Sequence, residues 1–173
     1  YKFIDKDVKN YSNLFGNILD SNNTHGQKVQ QIADLRQNIL NSIPEEGRAV
    51  VKGELNRLIS DLATQSPMGQ QFLLKTSVAT TRDKLMAAHD KLKAETEEKM
   101  RGAGIDPTAI AAAPPMFENE VDELSRLQGA IDFMNRALDV PESKEGAIGD
   151  AFKGELGNIL TAGVSGLLEN LEV

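Results

Sequence analysis

The chain has 173 residues, 40% of them apolar and 26% charged, with a formal net charge of −7. That size suits one soluble domain or two small lobes sharing a core, and the apolar content is too high for a disordered chain. No Cys is present, which excludes disulfides, thiolate metal sites, iron–sulfur clusters and cysteine nucleophiles. No apolar run reaches the roughly 18 residues of a membrane-spanning helix. The chain opens on Tyr1 rather than Met, so a trimmed or processed fragment is expected.

Helical periodicity dominates, and no strand run stands out. In the first segment Ile4, Val8, Tyr11, Phe15, Ile18 and Leu19 recur at helical spacing, and Ser21 to Thr24 form a turn or cap cluster. The second carries Val29, Ile32, Leu35, Ile39, Leu40 and Ile43 on one face. Pro44 stops it. Ser42 and Glu45 have capping-box spacing, with Pro44 in the first turn of a third helix that presents Val51, Leu55, Leu58, Ile59 and Leu62.

Ser66-Pro67 starts a fourth helix that no proline interrupts before Arg101. It would be about 50 Å long at 1.5 Å per residue. Leu74, Val78, Thr81, Leu85, Ala88 and Leu92 form its expected buried stripe, and the charged end beyond Leu92 is expected to project into solvent or fray. Gly102-Ala103-Gly104 ends it, and a loop follows to Pro115, the longest irregular stretch in the chain. The fifth helix carries Phe117, Val121, Leu124, Leu127, Ile131, Met134 and Leu138 and stops at Pro141. The last carries Phe152, Leu156, Ile159, Leu160, Val164, Leu167, Leu168 and Leu171, interrupted by Gly154, Gly157, Gly163 and Gly166. Each interior Gly costs about 1 kcal/mol against Ala, so this helix needs tight packing to form.

The expected fold is all-α: an antiparallel bundle of five to six helices with a long fourth helix and a C-terminal αα-hairpin. Residues 1–101 would form a four-helix main body, 102–117 a loop or linker, and 118–173 an acidic hairpin packing on the body. The charge divides along the same line. Residues 1–101 hold 15 basic and 13 acidic side chains, and residues 102–173 hold 4 and 13, a net of −9. Such a segment repels phosphate, so nucleic acid is not an expected ligand, and it steers a protein partner with a basic surface.

Catalytic chemistry is poorly supplied. The chain holds two His, His25 and His89. His89-Asp90, inside a helix, resembles the His-Asp pair of HD-type phosphohydrolases. That resemblance implies His25 as a first metal ligand and Asp122, Asp132, Asp139 or Asp150 as the last. Glu120 and Glu123 have the i,i+3 spacing of a carboxylate metal pair, but no complementary motif accompanies them. Phosphate-binding, nucleophile-elbow and dinucleotide motifs are absent. No catalytic set, metal site or cofactor is therefore assigned.

Two regions keep functional interest. Gly102, Ala103, Gly104, Ile105 and Ala109 to Ala113 make a small, apolar loop between helical lobes. It resembles the Gly/Ala-rich loop of bacterial exchange factors that open Rho-family GTPases, although the chain lacks Trp and hence their Trp-x-x-x-Glu motif. That resemblance implies regulation of a host small GTPase through 102–115. The other region, Ile148 to Leu171, looks like membrane-active amphipathic peptides, but Asp150, Glu155 and Glu169 against Lys153 argue against lipid and for helix packing. The leading expectation is a non-catalytic protein–protein interaction module. It would be a domain of a larger bacterial secreted or virulence-associated protein, binding through Gly102, Ala103, Gly104, Ile105, Glu118, Glu120 and Glu123.

Overall fold

The computed structural model describes residues 3–108, 115–140, 142 and 156–171. Six α-helices and no strand occur among them: α1 (Asp5–Asp20), α2 (His25–Asn41), α3 (Glu45–Gln65), α4 (Pro67–Gly102), α5 (Glu118–Asp139) and α6 (Leu156–Leu171). A 3-10 turn at Pro115–Phe117 leads into α5. The chain forms an all-α helical bundle with a long fourth helix, as its periodicity predicts. Residues 109–114 of the Gly/Ala loop, the Ser143–Gly149 linker and the predicted start of the last helix at Phe152 lie outside the described residues.

Local chemistry sets most helix ends. The Thr24 hydroxyl accepts from Gln27 N–H at 3.2 Å, and the Gln27 side chain accepts from Thr24 N–H at 3.0 Å, a capping box that starts α2. Ser66 starts α4: its hydroxyl accepts from Gly69 N–H at 2.9 Å, with Pro67 at the first helical position. The end of α3 lies so near that a Cβ on Gly69 would meet Ala63 O at 2.4 Å. The predicted capping box at Ser42 does not form. Ser42 instead ends α2, its hydroxyl donating to Ile39 O at 2.7 Å, and Pro44 is the N-cap of α3 with no side-chain bond. Arg48 donates to Leu40 O and Ile43 O at 3.1 and 2.9 Å. The carbonyls that close α2 draw both side chains: Ile39 O and Leu40 O accept these bonds beside those from the Ser42 and Ile43 N–H groups.

The chain divides into two compact units, residues 1–77 with 139–173 and residues 78–138. In the first unit α1 packs on α2 and α3, α2 packs on α3, and α6 lies against α2 and α3. Its core includes Phe15, Leu19, Ile32, Leu55, Ile59, Phe72, Leu73 and Leu167, all at most 1% exposed. Gly163 is one of the glycines that requires this packing: a Cβ there would meet Leu73 O at 2.3 Å. Two expected core residues of the first segment lie outside, Ile4 at 62% and Val8 at 39% exposure.

The second unit takes α4 from Val78 onward and α5 to Leu138. Lys99 Nζ lies 3.8 Å from Glu120 Oε1, and Arg82 donates to Asn135 Oδ1 at 3.2 Å. These two pairs fix an antiparallel register. On α5 Leu124, Leu127 and Ile131 are buried, with Phe117 just before them. On α4 the predicted stripe needs correction. Thr81 and Ala88 are exposed, whereas Val78, Arg82, Leu85, His89 and Leu92 are partly covered and Thr96 and Met100 are fully buried. From Val78 to Thr96 the spacing of this face alternates four and three residues, with one more step of four to Met100, the pattern of a helix pair meeting along a narrow seam. The charged end does not project or fray: it is helical to Gly102 because Thr96 and Met100 anchor it.

Candidate interaction surface

The sequence-predicted site residues come to one end of the second unit. Gly102, Ala103, Gly104 and Ile105 close α4, Glu118, Glu120 and Glu123 lie in the first two turns of α5, and the Lys99–Glu120 pair sets the two helix ends side by side.

The glycine loop begins as a helix stop with its own geometric reason. Gly104 has φ +73°, in the left-handed region. Its N–H donates to Arg101 O at 3.0 Å, and Ile105 N–H donates to Met100 O at 2.8 Å. These are the two bonds of a Schellman motif, whose left-handed position favours Gly. Gly102, by contrast, has open space around it. Asp106 then turns the chain. Its carboxylate accepts from Thr108 N–H at 3.0 Å and from Thr108 Oγ1 at 2.8 Å. Those bonds, the backbone one first, hold its carboxyl below the usual range.

Charge at this end is unequally matched. Residues 97–108 and 115–126 carry seven carboxylates and three cations. All three cations are engaged. Arg101 lies 3.5 Å from Glu98 and 3.9 Å from Glu97. Lys99 meets Glu120. Arg126 Nε donates to Glu123 Oε2 at 2.9 Å, which lowers the Glu123 carboxyl and raises the Arg126 guanidinium. Glu118 and Asp122, one turn apart on α5, are exposed and have no ion-pair partner among the described residues. Of the three glutamates that the sequence singles out, Glu118 therefore keeps its full negative field. Asp122, which the flanking core residues Val121 and Leu124 place on the outward face, joins it.

The histidines separate. His25 Nε2 lies 2.9 Å from Thr76 Oγ1, and its ring packs on Phe72 at 4.9 Å, in the first unit. His89 sits on the inner stripe of α4, in the second unit, with Nδ1 3.6 Å from the exposed Asp90 carboxylate. Among the described residues no three His, Asp or Glu side chains gather as a metal site.

Sequence reasoning missed a buried polar cluster in the first unit. Lys28 is fully buried, donates to Leu19 O at 2.7 Å and forms an ion pair with Glu142. Lys75 donates to Val140 O. Burial lowers the Lys75 ammonium, Glu142 opposes that shift, Lys28 adds to it and Asp139 opposes it. Arg36, 3% exposed, donates to Asn56 Oδ1 at 2.9 Å and to Leu171 O at 3.3 Å, tying the end of α6 to α2. One signal was available: Lys28 and Arg36 stand four residues either side of Ile32, on the apolar stripe itself. Glu142 gave none.

No family model matches the chain, and the curated proteins and the solved structures compared with it also gave no match. Among the described residues no helix is long and apolar enough to cross a membrane.

Proposed function

We propose that the chain is a protein–protein interaction module whose acidic surface, at the joined ends of α4 and α5, docks a partner with a basic surface. The observation that carries this is the unmatched pair Glu118 and Asp122, exposed on a helix whose neighbouring cations are already engaged. Surface ion pairs add little affinity each, but a one-signed patch steers encounter and selects the partner. The carboxylates near the α5 N-terminus also favour the helix dipole, so the patch costs the fold little. The Schellman motif gives Gly104 a backbone reason of its own, independent of any ligand.

The test is affinity capture with the whole chain as bait, at low and high salt, read by mass spectrometry. A partner held at low salt should be lost by the E118K/D122K bait and by high salt. The control bait D34K/E169K, with the same change in net charge on exposed positions elsewhere, should retain it. Capture that survives E118K/D122K unchanged would overturn the proposal.

A further inference from the structure

The outer face of α5 carries a stripe that is not part of its seam with α4. Asp122, Arg126, Gly129, Phe133 and Arg136 are all exposed. Their steps alternate four and three residues, the spacing of one helix face. Phe133 is 66% exposed, a large apolar side chain on a charged helix. Gly129, one turn before it, has open space where a Cβ would stand. A Gly inside a helix costs about 1 kcal/mol against Ala, and no close approach among the described residues accounts for this one. Asp122 and Arg136, at the two ends of the stripe, have no ion-pair or hydrogen-bond partner among the described residues.

We propose that a second copy of this chain docks here, its own α5 lying antiparallel on this face about a twofold axis near Gly129. This rests on the reading of the α5 carboxylates as a docking surface and names one occupant for it. The stripe is complementary to itself. Asp122 and Arg136 stand seven residues either side of Gly129, so the axis brings each level with the other residue of the second copy. Arg126 and Asp132 stand three residues either side and match in the same way. Twofold symmetry makes every match twice. A parallel pair would set Asp122 on Asp122 and Arg136 on Arg136, so the charges select the antiparallel sense.

The apolar group fits the same register. Asp122, Ser125, Arg126 and Gly129 have the i, i+3, i+4, i+7 arrangement that receives a side chain from a facing helix. Phe133 of the second copy, four residues beyond the axis, comes level with Ser125 and fills that hole. Ser125 and Gly129 leave the room for its ring, which gives the glycine its use. One helix face is smaller than a standard interface of roughly 1,200 Å², so the pairing is reversible and weak.

Sedimentation equilibrium of the intact chain from about 10 μM to about 1 mM reads the pairing. The wild type should rise reversibly toward twice the monomer mass. Phe133→Ser, at an exposed position, should raise the dimer Kd by about tenfold or more with helix content unchanged. Asp122→Arg alone and Arg136→Asp alone should each do the same, because each sets like charges together twice. An equimolar mixture of those two single variants should pair again, since every Arg then meets an Asp. The double variant D122R/R136D should pair with itself. A wild type that stays monomeric to about 1 mM overturns the self-pairing, and if it still captures a basic partner through Glu118 and Asp122 the interaction-module reading stands without it. A dimer that persists in Phe133→Ser, or that the mixed charge variants do not restore, overturns this face as the contact.

Discussion

The two units handle charge in opposite ways. The first encloses Lys28, Arg36 and the Glu142 side chain and uses them to join elements far apart in sequence. In the second, every described charged side chain keeps some exposure. The difference follows from helix number. Several helices packed around one core exclude water from all sides of a polar group. Two helices bury only a seam one side chain wide, so charge can lie only on its flanks. A narrow hairpin is for that reason a poor place to hide carboxylates and a good place to present them.

Core deletion breaks the comparison most sharply. Leu55→Ala, at a fully buried position of the first unit, should cost about 4 kcal/mol. Leu127→Ala, at 8% exposure in the two-helix seam, should cost about 2 kcal/mol, because a seam collapses or hydrates more easily than an enclosed core. Urea unfolding of both variants checks this, and equal losses would mean that the second unit has a core as enclosed as the first.

The contrast also explains what could be read from sequence. Helices bounded by local chemistry were legible, such as α4 after Ser66-Pro67 and α5 with Leu124, Leu127 and Ile131. Faces that mix polar and apolar residues were not. Arg82, His89 and Thr96 share the seam of α4, so an apolar count shifted the expected stripe onto Thr81 and Ala88. The Lys28–Glu142 pair joins residues 114 apart, a distance over which no spacing rule operates. At the candidate surface, the charge excess was legible, but not its distribution. Only the geometry separates Glu118 and Asp122 from Glu120 and Glu123, which have cations beside them.

Smaller effects sharpen the picture of the second unit. Gly104→Ala should destabilise it by about 1 kcal/mol, since a Cβ is disfavoured at positive φ, while the first unit keeps its unfolding midpoint. An unchanged second unit would show that the Schellman motif does not hold the end of α4. The weakest effect is the pH response. Asp106 and Glu123 have carboxyls lowered from the ordinary 3.8 and 4.5 by their hydrogen bonds to Thr108 and Arg126. Their stabilisation is present above those ordinary values and disappears as pH falls through the lowered ones. D106N/E123Q should lose that acid dependence, as denaturation from neutral pH down to about pH 3 would show.

The most direct test of the acidic surface is the salt dependence of the Kd for whichever partner is captured, on the wild type and on E118K/D122K. For the wild type, Kd should weaken by about tenfold between low salt and about 0.5 M, where screening shortens charge interactions to a few ångströms. The variant should bind weakly at both salts with little slope. Equal Kd values for the two chains at both salts would contradict an electrostatic docking face at the ends of α4 and α5.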